Sequence, residues 1–141
     1  MQNNEQEYYD KMEKLLNQHR DHIVAVGECG LDYDRFNYAD KETQLKAFPV
    51  HFDWAEKFDL PMYLHSRSCK EDFLDIVKAN RKRFKGGVVH SYTGDLEELK
   101  ELVAMGLYIG VNGCSLKTSD NIEIVKQIPL DLIMLESLLI S

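Results

Sequence analysis

The sequence predicts an α/β protein whose strands run parallel, and three observations carry that reading. Five short apolar runs end at residues 28, 65, 90, 112 and 136, so successive ends stand 37, 25, 22 and 24 residues apart. The intervals hold segments with helical apolar periodicity. No hairpin signal joins one run to the next, so each strand must return through a crossover, which makes the sheet parallel. Runs that are apolar almost throughout suit a sheet covered on both faces.

The elements follow in order. Residues 5–19 read as a helix with Tyr9, Met12, Leu15 and Leu16 on one face. "HIVAVGE" is a strand ending at Glu28. Residues 40–58 read as a helix with Leu45, Phe48, Phe52 and Ala55 on one stripe, which Pro49 is expected to kink or split. "LPMYLHSR" is a strand ending at His65, followed by a helix over 70–82 with Phe73, Ile76 and Val77 inward. "GGVVHSYTG" gives a short strand ending at His90. Asp95 and Glu98 form a capping-box pattern opening "DLEELKELVAMG", which Gly106 stops. "LYIGVNG" is a strand ending near Asn112, Ser119 is expected to cap a helix through Gln127, and "LIMLE" is the last strand.

A chain of 141 residues with 44% hydrophobic content can bury one core, so residues 1–141 are read as a single domain. The net charge of −7 argues against a broad basic face for nucleic acid. A phosphate-bearing substrate would need local Lys or Arg side chains, or bound cations. Three cysteines without CxxC spacing give neither a disulfide framework nor a zinc ribbon, and point to a reducing, intracellular compartment. Cytoplasm and nucleus are not distinguished. The polar start "MQNNEQEYYDKMEKLL" is not a signal peptide, and no apolar run approaches the roughly 20 residues of a membrane span.

Active sites of parallel α/β proteins gather at the carboxyl ends of the strands. Here those ends carry Glu28, His65, His90, Asn112 and Glu136. A lone His after an apolar run is ordinarily structural, and a lone Glu at a strand end is ordinarily solvated. Three residues of ligand type at the same position in three consecutive units are a different observation. One carboxylate and two imidazoles form a donor set for a divalent metal, which activates water for hydrolysis. His22 and His51 do not share that position. Lys70, Arg81, Lys82, Arg83 and Lys85 read as a solvated helix end, with a DNA backbone contact as the alternative.

The motifs "AVGECGLDYD", "LPMYLHSR", "GGVVHSYTG" and "LYIGVNGCSLK", in this order, resemble the TatD-like deoxyribonucleases, and most closely their eukaryotic branch. The resemblance implies a TIM (β/α)8 barrel, of which this chain would hold about five units resembling strands 4 to 8. It implies a deoxyribonuclease trimming DNA 3′ ends without sequence preference, using one or two divalent ions (Mg²⁺, Mn²⁺ or Zn²⁺). Glu28, His65 and His90 match the family's metal ligands. Arg67 falls beside them as a candidate phosphate contact, and Asp32 as a candidate for supporting the ligands or fixing its loop.

Some family features lack a match. No His-x-His strand precedes the first helix, and Ser137 and Leu138 stand where the family carries Thr and a catalytic Asp. The resemblance therefore assigns no general base here. The expectation is an incomplete barrel domain, shortened at both ends, with a divergent tail at 137–141 and weak or absent activity alone. Two alternatives stay open: another metal-dependent barrel hydrolase, acting on an amide, lactone or small phosphoester, and an inactive remnant that only interacts.

Overall fold

The computed structural model describes residues 2–137. Thirteen segments alternate in a regular way. They are α1 (Gln2–Gln18), β1 (Val26–Asp32), α2 (Lys41–Phe58), β2 (Met62–Arg67), α3 (Lys70–Asn80), β3 (Gly87–Val89), α4 (Leu96–Ala104), β4 (Tyr108–Val111), α5 (Ser119–Val125) and β5 (Ile133–Leu135), with 3₁₀ turns at 20–22, 81–83 and 113–116. The strands form one parallel sheet in the order β1-β2-β3-β4-β5. These are five consecutive β/α units of barrel type.

The core lies between the sheet and its helices, where the predicted stripe of α2 packs. Phe48, Phe52 and Ala55 are buried. Phe48 stacks on Phe73 of α3 with centroids 5.7 Å apart, and Phe52 meets Phe84 at 5.5 Å. Trp54, also buried in the core, meets Tyr9 of α1 edge-on. It is a packing residue.

Three local expectations change. Pro49 does not split α2, which is continuous from Lys41 to Phe58. Phe48 and Phe52, on either side of the missing N–H, are both anchored in the core and hold the turn together. The cap of α5 is Thr118, whose hydroxyl accepts from Asn121 N–H at 3.1 Å; Ser119 is already helical. The first strand does not stop at Glu28 but runs on to Asp32. Gly27 pairs with Tyr63 and Cys29 with Leu64, so Glu28 is the extra residue of a β-bulge. Gly30 then faces His65 so closely that a Cβ there would lie 1.9 Å from the His65 carbonyl oxygen. Its φ of +150° is also one that other residues rarely adopt.

The helix starts are built as the sequence indicates. Asp40 and Asp95 accept from the N–H groups of Thr43 and Glu98, each at 2.8 Å. Gly106, with φ +72°, turns the chain after α4. The basic cluster around 81–85 lies at the amino end of β3, opposite the strand ends that carry the ligand-type residues. Arg83 is held by Asp53 and Glu56, and Lys85 by Asp59 at 2.6 Å. Arg81 donates to the carbonyls of Met105 and Phe84. These cations fasten the base of the sheet.

Candidate metal centre

The bulge of β1 and the carboxyl ends of β2 and β3 bring three of the strand-end residues together. Glu28 Oε1 lies 3.0 Å from His90 Nε2 and 3.3 Å from His65 Nδ1, and the two nitrogens are 3.1 Å apart. Donor atoms each about 2.0–2.2 Å from one ion, at ligand angles of about 90–110°, stand about 3.0–3.5 Å from one another. The three atoms match that triangle. A bulge suits the task, because it turns one side chain out of the strand's alternation while pairing resumes on either side.

The outer nitrogens of both rings face carboxylates. His65 Nε2 donates to Asp32 Oδ2 at 3.0 Å. In the neutral ring this leaves Nδ1 with a lone pair aimed at the triangle. His90 Nδ1 lies 3.8 Å from Glu136 Oε1, longer than a hydrogen bond, so that carboxylate stands near the second imidazole. Carboxylates behind metal-binding imidazoles fix the tautomer and raise the basicity of the ring. Two nitrogens and one oxygen, all rich in electrons, then face each other with no proton required between them. A divalent cation satisfies that arrangement. Nitrogen donors beside one carboxylate suit Zn²⁺ or Mn²⁺ better than Mg²⁺.

Asp32 also fixes its own loop. Its backbone is clamped by the Gln44 side chain, at 2.8 Å through N–H and 2.9 Å through the carbonyl, while Oδ1 accepts from Asp34 N–H at 3.0 Å. Arg67 Nε pairs with Asp34 Oδ2 at 3.0 Å. Asn112 stays out of the triangle: buried, it accepts from Cys114 N–H and caps the turn after β4. Its Nδ2 finds no partner among the described residues. Leu138 lies outside the described residues.

Two contributors had no role assigned from sequence. Glu136 accepts from Tyr63 Oη at 3.1 Å and from Ser91 N–H at 2.8 Å, and Tyr63 stacks on His90 with centroids 4.7 Å apart. Gly110 makes this possible, since a Cβ there would come within 2.7 Å of the Glu136 carboxylate. The signal for Tyr63 lay in period two, which puts it on the same face of β2 as His65. The nearby thiol is inert, because burial pushes Cys29 up to about 12.

Fold and cluster together define a class: barrel-type α/β proteins with side chains of metal-ligand type gathered on the carboxyl rim of the sheet. The chain belongs to the TatD related DNase family, whose model matches residues 1–137. It is 43% identical over 135 residues to the deoxyribonuclease Tat-D of Schizosaccharomyces pombe, covering 94% of this chain and 43% of that protein. It is 38% identical over 118 residues to the 3′-5′ ssDNA/RNA exonuclease TatD of Erwinia tasmaniensis, covering 82% of this chain and 45% of the other. The crystal structure of a TatD family hydrolase from Entamoeba histolytica superposes with a TM-score of 0.85 at 35% identity, over 92% of this chain and 43% of that one. The chain thus spans less than half the length of these relatives. Among the described residues no helix is long and apolar enough to cross a membrane.

Proposed function

We propose that this chain carries part of the active centre of a metal-dependent deoxyribonuclease that trims single-stranded DNA from its 3′ end without reading sequence. The observation that supports it is the Glu28–His65–His90 triangle, with a carboxylate behind each ring. The names of the relatives supply the substrate class. Glu28, His65 and His90 would hold the ion, and Asp32 and Glu136 would hold the rings. A divalent cation there supplies Lewis acidity, lowering the pKa of water towards about 7 and offsetting phosphate charge. Glu28 is about half exposed, so water and substrate reach the centre from its side. In the hydrolysis one bond forms between water oxygen and phosphorus, and the bond from phosphorus to the leaving sugar oxygen breaks. Arg67, fixed by Asp34, is the candidate side chain for a phosphate oxygen.

The test has two parts. Calorimetric titration with Mn²⁺ should show stoichiometric binding that Glu28→Ala, His65→Ala and His90→Ala each abolish; unchanged stoichiometry would remove the ligand assignment. Single-stranded DNA labelled at its 5′ end should shorten slowly with Mn²⁺, the weak activity expected of part of a centre, and stay intact in EDTA. A chain that binds the ion and leaves the DNA intact would overturn the activity.

A further inference from the structure

Two clefts flank His65, and they differ in charge. The one over α2 is lined by Glu28 and Asp32, with neither Lys nor Arg. The other, about 350 Å³, runs from His65 across the ends of β2 and β3 to the loop that opens α5. Its walls include Arg67 and Lys117 and the side chains of Ser91, Thr93, Thr118 and Asn121. No Asp or Glu lines it, although the chain carries 24 of them and a net charge of −7. Asp34, which steadies Arg67, is not among its walls. Lys117 is exposed and takes part in none of the ion pairs formed among the described residues.

We infer that this second cleft holds the backbone of a single nucleic-acid strand, with Lys117 and Arg67 taking a phosphate next to the scissile one. The inference rests on the nuclease reading above and adds to it a positioning residue, Lys117, and a direction of entry. Cations and hydroxyls without carboxylates are the chemistry of a phosphodiester, and a shared wall at His65 joins the cleft to the metal triangle. The chemistry favours one strand over two, because the chain's net charge of −7 opposes a second row of phosphates. No Phe, Tyr or Trp lines the cleft, so it offers no stacking platform and grips the backbone whatever the base.

The test is fluorescence anisotropy of a short labelled oligothymidylate with the full chain in EDTA, across a range of potassium chloride concentrations. The wild type should bind with a salt dependence that Lys117→Ala lowers by about 0.7 in log–log slope, the loss of one single-strand phosphate contact. Lys117→Glu should weaken binding further. Lys82→Ala, an exposed lysine at the opposite end of the sheet, should leave both affinity and slope unchanged. An oligodeoxyadenylate should bind as the oligothymidylate does.

No binding by the wild type, an unchanged slope in Lys117→Ala, or an equal loss in Lys82→Ala would each overturn the cleft. Because no metal is present, these outcomes are separate from failure of the metal assignment. That failure would show as Mn²⁺ stoichiometry insensitive to Glu28→Ala, with the Lys117 effect intact.

Discussion

Glu28, His65 and His90 could be picked from the sequence because their types and their place after apolar runs coincide. Their supports were less visible. Glu136 stood at a strand end like the others, but its use depends on Gly110, which leaves the room, and on Tyr63, which lies 73 residues away. No spacing rule shows that a glycine on one strand admits a carboxylate from the next. Asp32 was legible as a neighbour of the candidate ligands, and the structure adds that it serves His65 and its own loop at once. Removing it should therefore weaken Mn²⁺ binding by about 10–100-fold while the ion is still bound. Titration of Asp32→Ala and Asp32→Asn checks this, with partial recovery expected in the asparagine variant, which can still accept the His65 proton.

Among the elements, α4 shows a capping-motif residue drawn into the core instead of capping. Asp95 and Glu98 read as a capping box, and the Asp95 half forms. The Glu98 carboxylate instead turns inward and accepts from Ser66 Oγ at 2.8 Å, only 5% exposed. Burial raises its pKa above the ordinary value near 4.5, and the Ser66 hydroxyl offsets part of that rise. A group whose folded pKa is raised contributes stability below its unfolded pKa and loses it as pH rises through the folded value. Glu98→Gln should consequently stabilise the protein at neutral pH, and the gain should shrink as pH falls through the raised folded value and have run its course by about 4.5. Urea midpoints across that range check it; a gain independent of pH would show that burial of the charge is not the cause. Asp72 and Asp95 act with the opposite sign. Their pKa values are lowered, Asp72 by Lys41 and Tyr33 and Asp95 first by the Glu98 N–H, so their contributions fade as pH falls. The bulge in β1 was not foreseen, since glycines at 27 and 30 read equally well as the end of a strand.

For the whole molecule, the parallel direction of the strands followed from the spacing of the apolar runs. Closure towards a barrel did not, because open sheets and barrels share the same alternation, and it rested on the motifs. Ion pairs lie at the base of the sheet, and the carboxyl rim gathers the side chains of metal-ligand type. If the triangle binds an ion only in the folded state, Mn²⁺ at about 100 times its dissociation constant should add about 2.7 kcal/mol of stability. Thermal melts with Mn²⁺ and with EDTA check this, and Glu28→Ala should remove the difference.

Sequential strand order also bears on how the chain acquires its structure. No strand has to slip between two others already paired, so each β/α unit can dock on the edge left by the one before it. Growth from the amino terminus during synthesis would complete the triangle as soon as β3 joins β2, before β4 and β5 emerge. Glu136, arriving with β5 after the triangle's strands, then closes behind His90, so the centre is assembled first and braced afterwards.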